Sequence, residues 1–303
     1  MVSVAVVMSV PPPEVTGLIP ESGGNRPKPE RCLPFYELLV VSNPFAAMGF
    51  RIGLARLHEE ALDFDGARGH CERVLKLVRE GRDHTVCSYG LILSGRAHLG
   101  LQDHRRAYGC FNEALRLVES EQGLTDWQLC LLPLYQGLGD YWLAQGDLKQ
   151  AREMATKLCT IAAPPPERTY LALGHRLLAE IAIADRQWDQ AEAEVAHALT
   201  AMMGAQAPGT VWRAYAITLP ECSSPSAGSA LPLAAWRVHA TAAKLCKRQG
   251  RQSEAEVFRQ QSRAVIQQLA DSLDASDPLR ESLLSGHERV SVSMARESKS
   301  GAA

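Results

Sequence analysis

His70, Cys71, His84 and Cys87 carry the donor atoms of a zinc site. Structural zinc is usually gripped by short paired spacings, and these four straddle a helix end instead. Cys71 is therefore expected at a core position and the histidines on the surface or in the groove. The run HEEAL at 58–62 starts like a metalloprotease helix, but Leu62 stands where the second histidine must be, so it reads as a charged helix face. For phosphate chemistry, ESGGNRPKPE at 21–30 offers glycines and Lys28. It lacks a strand-to-helix setting, and Pro27 and Pro29 remove two amide donors. No Gly-x-x-x-x-Gly-Lys-Ser/Thr loop, Gly-x-Ser-x-Gly elbow, dinucleotide pattern or kinase signature occurs. These observations assign no catalytic residue, no cofactor and no metal. The chain is expected to be no enzyme and to bind no ATP unaided.

One charged set does recur at a regular interval: Arg56, Arg96, Asp140, Glu180 and Lys244, with Arg176 and Lys247 nearby on the same face. On the inner curve of a helical array it would form a ladder, basic at both ends and acidic in the middle. Such a ladder suits charge pairing with an extended or helical peptide. It would equally be satisfied by its own neighbours.

The residues around the ladder repeat as well. An Ala follows each of five turns, at Ala67, Ala107, Ala151, Ala191 and Ala255, and a small residue precedes each by twelve positions: Ala55, Gly95, Gly139, Ala179 and Ala243. Small residues at that offset let two helix backbones approach closely. Four residues after the Ala come Cys71, Phe111, Ala155, Val195 and Arg259, and seven after it Val74, Ala114, Leu158, Ala198 and Ser262. These offsets lie on one helical face, with the last copy drifting. Between the helices stand DFDG, QDH, QGD, ADRQ and QGR, whose Asp and Gly residues suit helix ends. Hydrophobic residues at 46% and charged residues at 22% fit a folded helical chain. A helical pair cannot bury its apolar face alone, so stacked copies must share a core.

LSGRAHLGLQDHRRAYGCFNEAL at 93–115 resembles the tetratricopeptide repeat, which pairs a small residue in its first helix with an Ala in its second. The resemblance spans about 50–270 and implies an all-α fold, a right-handed α-solenoid of tetratricopeptide-like helical hairpins. The aromatic expected three residues after the small one is present only as Trp142; His58, His98, Ala182 and Cys246 take its place elsewhere, and the usual closing Pro is absent. Intervals near 40 and the stretch from 232 to 284 are similar to the C-terminal arrays of bacterial signalling ATPases and of cyclase-associated or transcriptional regulators. That implies a sensing or docking part without its motor. The family's clamp for a C-terminal carboxylate is not matched, since Ile52 and Gly53 occupy its positions in the first repeat.

The expected organisation is an irregular N-terminal segment at 1–49, a repeat array at 50–284 with an exposed loop insert at about 204–232, and a disordered tail at 285–303. Net charge of -2 argues against nucleic acid or an anionic membrane as partner. Eight scattered cysteines read as reduced thiols, and the apolar run after Met1 is too short to span a bilayer, so a cytoplasmic location is expected. The expected function is a non-catalytic scaffold or interaction module of a signalling system that docks a protein or peptide partner in a concave groove. The alternatives are a small-ligand sensor and a cryptic enzyme.

Overall fold

The computed structural model describes residues 44–81, 84–120, 127–163, 167–203 and 232–287. The expected loop near 223–229 and the glycine run at 21–30 lie outside them. The described residues are helical and contain no strand. Ten helices follow in order: α1 (Pro44–Glu60), α2 (Phe64–Gly81), α3 (His84–Gly100), α4 (His104–Ser120), α5 (Trp127–Ala144), α6 (Leu148–Ala162), α7 (Arg168–Ala184), α8 (Trp188–Met203), α9 (Pro232–Arg248) and α10 (Gln252–Asp271). A short helix α11 covers 278–287. The first helix starts at Pro44, inside the segment expected to be irregular. Proline suits a first helical position because its missing N–H would have no partner there. No helix among the described residues is long and apolar enough to cross a membrane.

The helices pack as five adjacent pairs, and the first helices of successive pairs, α1, α3, α5, α7 and α9, also touch one another. Every anchoring Ala is fully buried, and the five small positions are buried too. Glycine is required where helices pass the Phe111 ring, at Gly95 and at Gly137. A Cβ on Gly95 would stand 2.6 Å from the Phe111 ring, and one on Gly137 would stand 2.7 Å from the same ring. Phe111 of α4 thus fills space that two glycines of α3 and α5 leave open. In the last pair the drifting Ser262 is buried as well. Its hydroxyl donates to the Trp236 carbonyl at 2.9 Å and lies 3.2 Å from His287 Nε2, so the polar atom is satisfied by α9 and α11.

The five pair turns share one geometry, in which the middle residue adopts positive φ: Leu62, Gln102, Gly146, Arg186 and Gly250. The next residue caps the new helix, which begins one position later. Asp63, Asp103 and Asp147 each accept a hydrogen bond from the backbone N–H three residues on, which satisfies an otherwise orphaned donor. Three turns therefore place a residue other than glycine in the left-handed region. His58 Nδ1 also lies 2.7 Å from Asp63 Oδ2, so the histidine at the missing aromatic position helps hold the cap.

The first pair meets the last. Ala61 and Leu62 share an apolar cluster with Trp236, Ile266, Ala270, Leu279 and Leu283, flanked by Leu57 and Phe64. The described pairs thus form one body whose two ends touch.

Phe111→Ala should cost about 3–5 kcal/mol, because the ring is fully buried between backbones that cannot collapse onto the void. Equilibrium urea unfolding measures this, and a loss below about 1 kcal/mol would contradict the packing. Arg186→Gly should stabilise by roughly 0.5–1 kcal/mol by relieving positive φ, while Gly146→Ala should destabilise by about 1 kcal/mol. Thermal melts should move in opposite directions for these two variants.

Candidate functional site

The inner faces of α1, α3, α5, α7 and α9 bring together the charged residues that the sequence spaces regularly. Arg96 of α3 donates from Nη2 to Glu59 Oε1 at 2.7 Å and from Nη1 to Gln136 Oε1 at 2.7 Å, joining α1, α3 and α5. Arg56 donates to the Tyr89 hydroxyl at 2.8 Å and the Tyr170 hydroxyl at 3.3 Å, reaching from α1 to α3 and α7. Glu60 pairs with Arg56 at 3.3 Å and with Arg237 of α9 at 3.1 Å. Arg176 of α7 is bonded to Asp140 of α5. Glu180 of α7 accepts from Lys244 Nζ at 2.6 Å and from the Thr241 hydroxyl at 2.7 Å, both on α9.

Six of the seven ladder residues therefore lie in bonds that cross between pairs. Lys247 stands half-buried on the last turn of α9. The glutamates of HEEAL do not form a solvated face: Glu59 is 4% exposed, and Glu60 lies under Arg237. Among the described residues, the network sets the cations Arg56, Arg96, Arg176, Arg237 and Lys244 against Glu59, Glu60, Asp140 and Glu180. Cations exceed carboxylates by one. The network is tightest at Arg96 and Glu59, with side chains 9% and 5% exposed. It is most open at Asp140, 31% exposed, and at Lys244, 23% exposed.

Burial and charge oppose each other throughout. Burial alone would depress Arg96, but Glu59 and Glu60 outweigh it and hold the guanidinium above its usual range. Burial would raise Glu180, but Lys244 and Arg176 hold it below the usual carboxylate range. Glu60 is likewise lowered, because Arg237, Arg56 and Arg96 together overcome its burial. Both carboxylates are thus kept ionised, and the Arg96 guanidinium stays charged.

Sequence spacing found the ladder but not its partners. Glu59, Glu60, Gln136, Tyr170, Arg237 and Thr241 come from other turns and other helices, although Glu60, four residues after Arg56, carried a same-face signal. Spacing also missed a group on the outer side. His175 of α7 meets Glu194 and His197 of α8, with ligand atoms within 4.8 Å of one another. The Glu-x-x-His run at 194–197 was its one local sign. His70, Cys71, His84 and Cys87 form no comparable group among the described residues. Cys71 is buried, and burial pushes its thiol up to about 12. Ser262 and His287 do meet, but both are sealed inside the apolar cluster of α9–α11, so the pair presents no nucleophile to a substrate.

No protein-family model matches the chain, and no curated protein matches it significantly.

Glu59→Ala would leave the Arg96 guanidinium buried without its carboxylate, and should cost on the order of 3–5 kcal/mol in urea unfolding at neutral pH. The lowered carboxylates also set a pH dependence. Their stabilisation is complete above the unfolded carboxylate value of about 4.3 and is lost as pH falls through the lower folded value. The urea midpoint should therefore drop below roughly pH 4.3, and less steeply in Glu180→Gln.

Proposed function

We propose that this chain is a non-catalytic interaction module of a signalling or regulatory system, a right-handed solenoid of tetratricopeptide-like pairs that docks a protein partner. The carrying observation is the convergence of Arg56, Arg96, Asp140, Arg176, Glu180 and Lys244 on one inner face, in bonds that cross between pairs. These groups are already desolvated and oriented, so exchanging an internal partner for one on a peptide costs less than assembling the charges from water. The excess cation favours a partner segment that presents a carboxylate. Its entry is the open end of the network, at Asp140 and Lys244, with Lys247 as a further contact.

A second reading is favoured by the cross-array bonds of Arg56 and Glu60. A small acidic ligand that competed for Arg56 or Arg237 would act on the contact between the first and last pairs. That reading makes the chain a ligand sensor.

Affinity capture with the full chain and identification by mass spectrometry tests the first reading. Wild type should retain a partner that Lys247→Glu, which reverses the charge at the entry, retains roughly tenfold less, equivalent to about 1.4 kcal/mol, without a large shift in melting temperature. Equal retention by both would overturn docking at this face. On either reading the chain takes no nucleotide alone, and titration with Mg-ATP should give no saturable heat.

A further inference from the structure

We propose that His175, Glu194 and His197 form a binding site for a divalent transition-metal ion of the zinc class. The three side chains come from the two helices of the fourth pair. Glu194 and His197 lie one turn apart on α8, on one face. His175 projects from α7 toward them, with its Nδ1 2.7 Å from Glu194 Oε2. His197 Nδ1 lies 3.9 Å from the same oxygen. The two imidazole rings are 5.1 Å apart between centroids, inclined by 55°.

These separations fit one ion. Donors bound tetrahedrally at about 2.0–2.1 Å lie roughly 3.4 Å from one another, and the observed gaps fall on either side of that value. Binding would open the His175–Glu194 contact by about 0.7 Å and draw His197 in by about 0.5 Å. The 62% exposed His197 side chain is free to make that adjustment and leaves the site open to solvent. His175 and Glu194, 21% and 15% exposed, provide the fixed half.

The donor set selects the ion. Two imidazoles and one carboxylate suit zinc, cobalt or nickel; magnesium and calcium prefer all-oxygen sets, and cuprous ion prefers thiolates. Cys159 of α6 lies nearby, since a Cβ on Gly174 would stand 2.6 Å from its sulfur. Its sulfur is not among the donor atoms that lie within 4.8 Å of one another, and it stands outside the ligand set. Three protein ligands leave at least one position for water or for a donor from outside. The site is separate from the inner charge network and does not rest on the function proposed for it.

An ordinary histidine–carboxylate hydrogen bond would explain His175 and Glu194 but would give His197 no part, and the test turns on that difference. Equilibrium dialysis of the full chain against zinc should show a saturable equivalent at micromolar concentration. Cobalt substitution should give visible d–d bands without a thiolate charge-transfer band. His197→Ala, a change at the exposed member that leaves the fold intact, should weaken binding at least roughly tenfold, and Glu194→Gln should do the same. No saturable equivalent in wild type would overturn the site. So would equal binding in both variants, which would assign the metal to cysteines or adventitious histidines.

Discussion

Glu60 is held between Arg56 of its own helix and Arg237 of α9, and this clamp joins the first pair to the last. Withdrawing such charges from water costs several kcal/mol each, and the cost is offset only while every partner is in place. An array whose ends stood apart would leave Glu60 and Arg237 half-bonded and would expose the apolar cluster of Leu62, Trp236, Ile266 and Leu283. Polar clamp and apolar cluster therefore favour the same arrangement. They divide the work as such pairs usually do, with burial supplying the drive and the ions the register.

The clamp can form only because the first helix of each pair is held at a set depth and rotation. The buried small positions let it approach its second helix, and large residues such as Phe111 and Leu177 fill the space that Gly95, Gly137 and Gly139 leave. With position 95 fixed against the second helix, position 96 is turned about 100° away, toward the inner face. The same geometry in every pair turns the charged residue after each small one toward a common centre. A periodic choice of side-chain size thus becomes a convergence of charge.

This division explains what could be read in advance. The anchoring Ala residues, the small positions and the turns were legible because each depends on neighbours at a fixed short offset. The ladder was legible as a set for the same reason. Its state was not, because Arg96 finds Gln136 forty residues on, and Glu60 finds Arg237 in the last pair. Glu59 was legible only as part of a charged helix face, and nothing near it in sequence shows that it lies beneath Arg96. Ser262 looked like decay of the repeat, and only His287 and the Trp236 carbonyl show why a hydroxyl is tolerated there. The outer histidines stayed hidden because His175 and His197 sit on different helices. Function was less legible than fold, since the same inner charges can hold the array together or be lent to a partner.

A double-mutant cycle on Glu60 and Arg237 tests the closure of the array most directly. The measured quantities are the unfolding free energies of Glu60→Ala, Arg237→Ala and the double variant. Residues that touch only in a closed array should couple by about 1–3 kcal/mol, with the double variant less destabilised than the sum of the singles. Additivity within about 0.3–0.5 kcal/mol would mean that the two ends do not meet in solution, and the account of the inner face would fail.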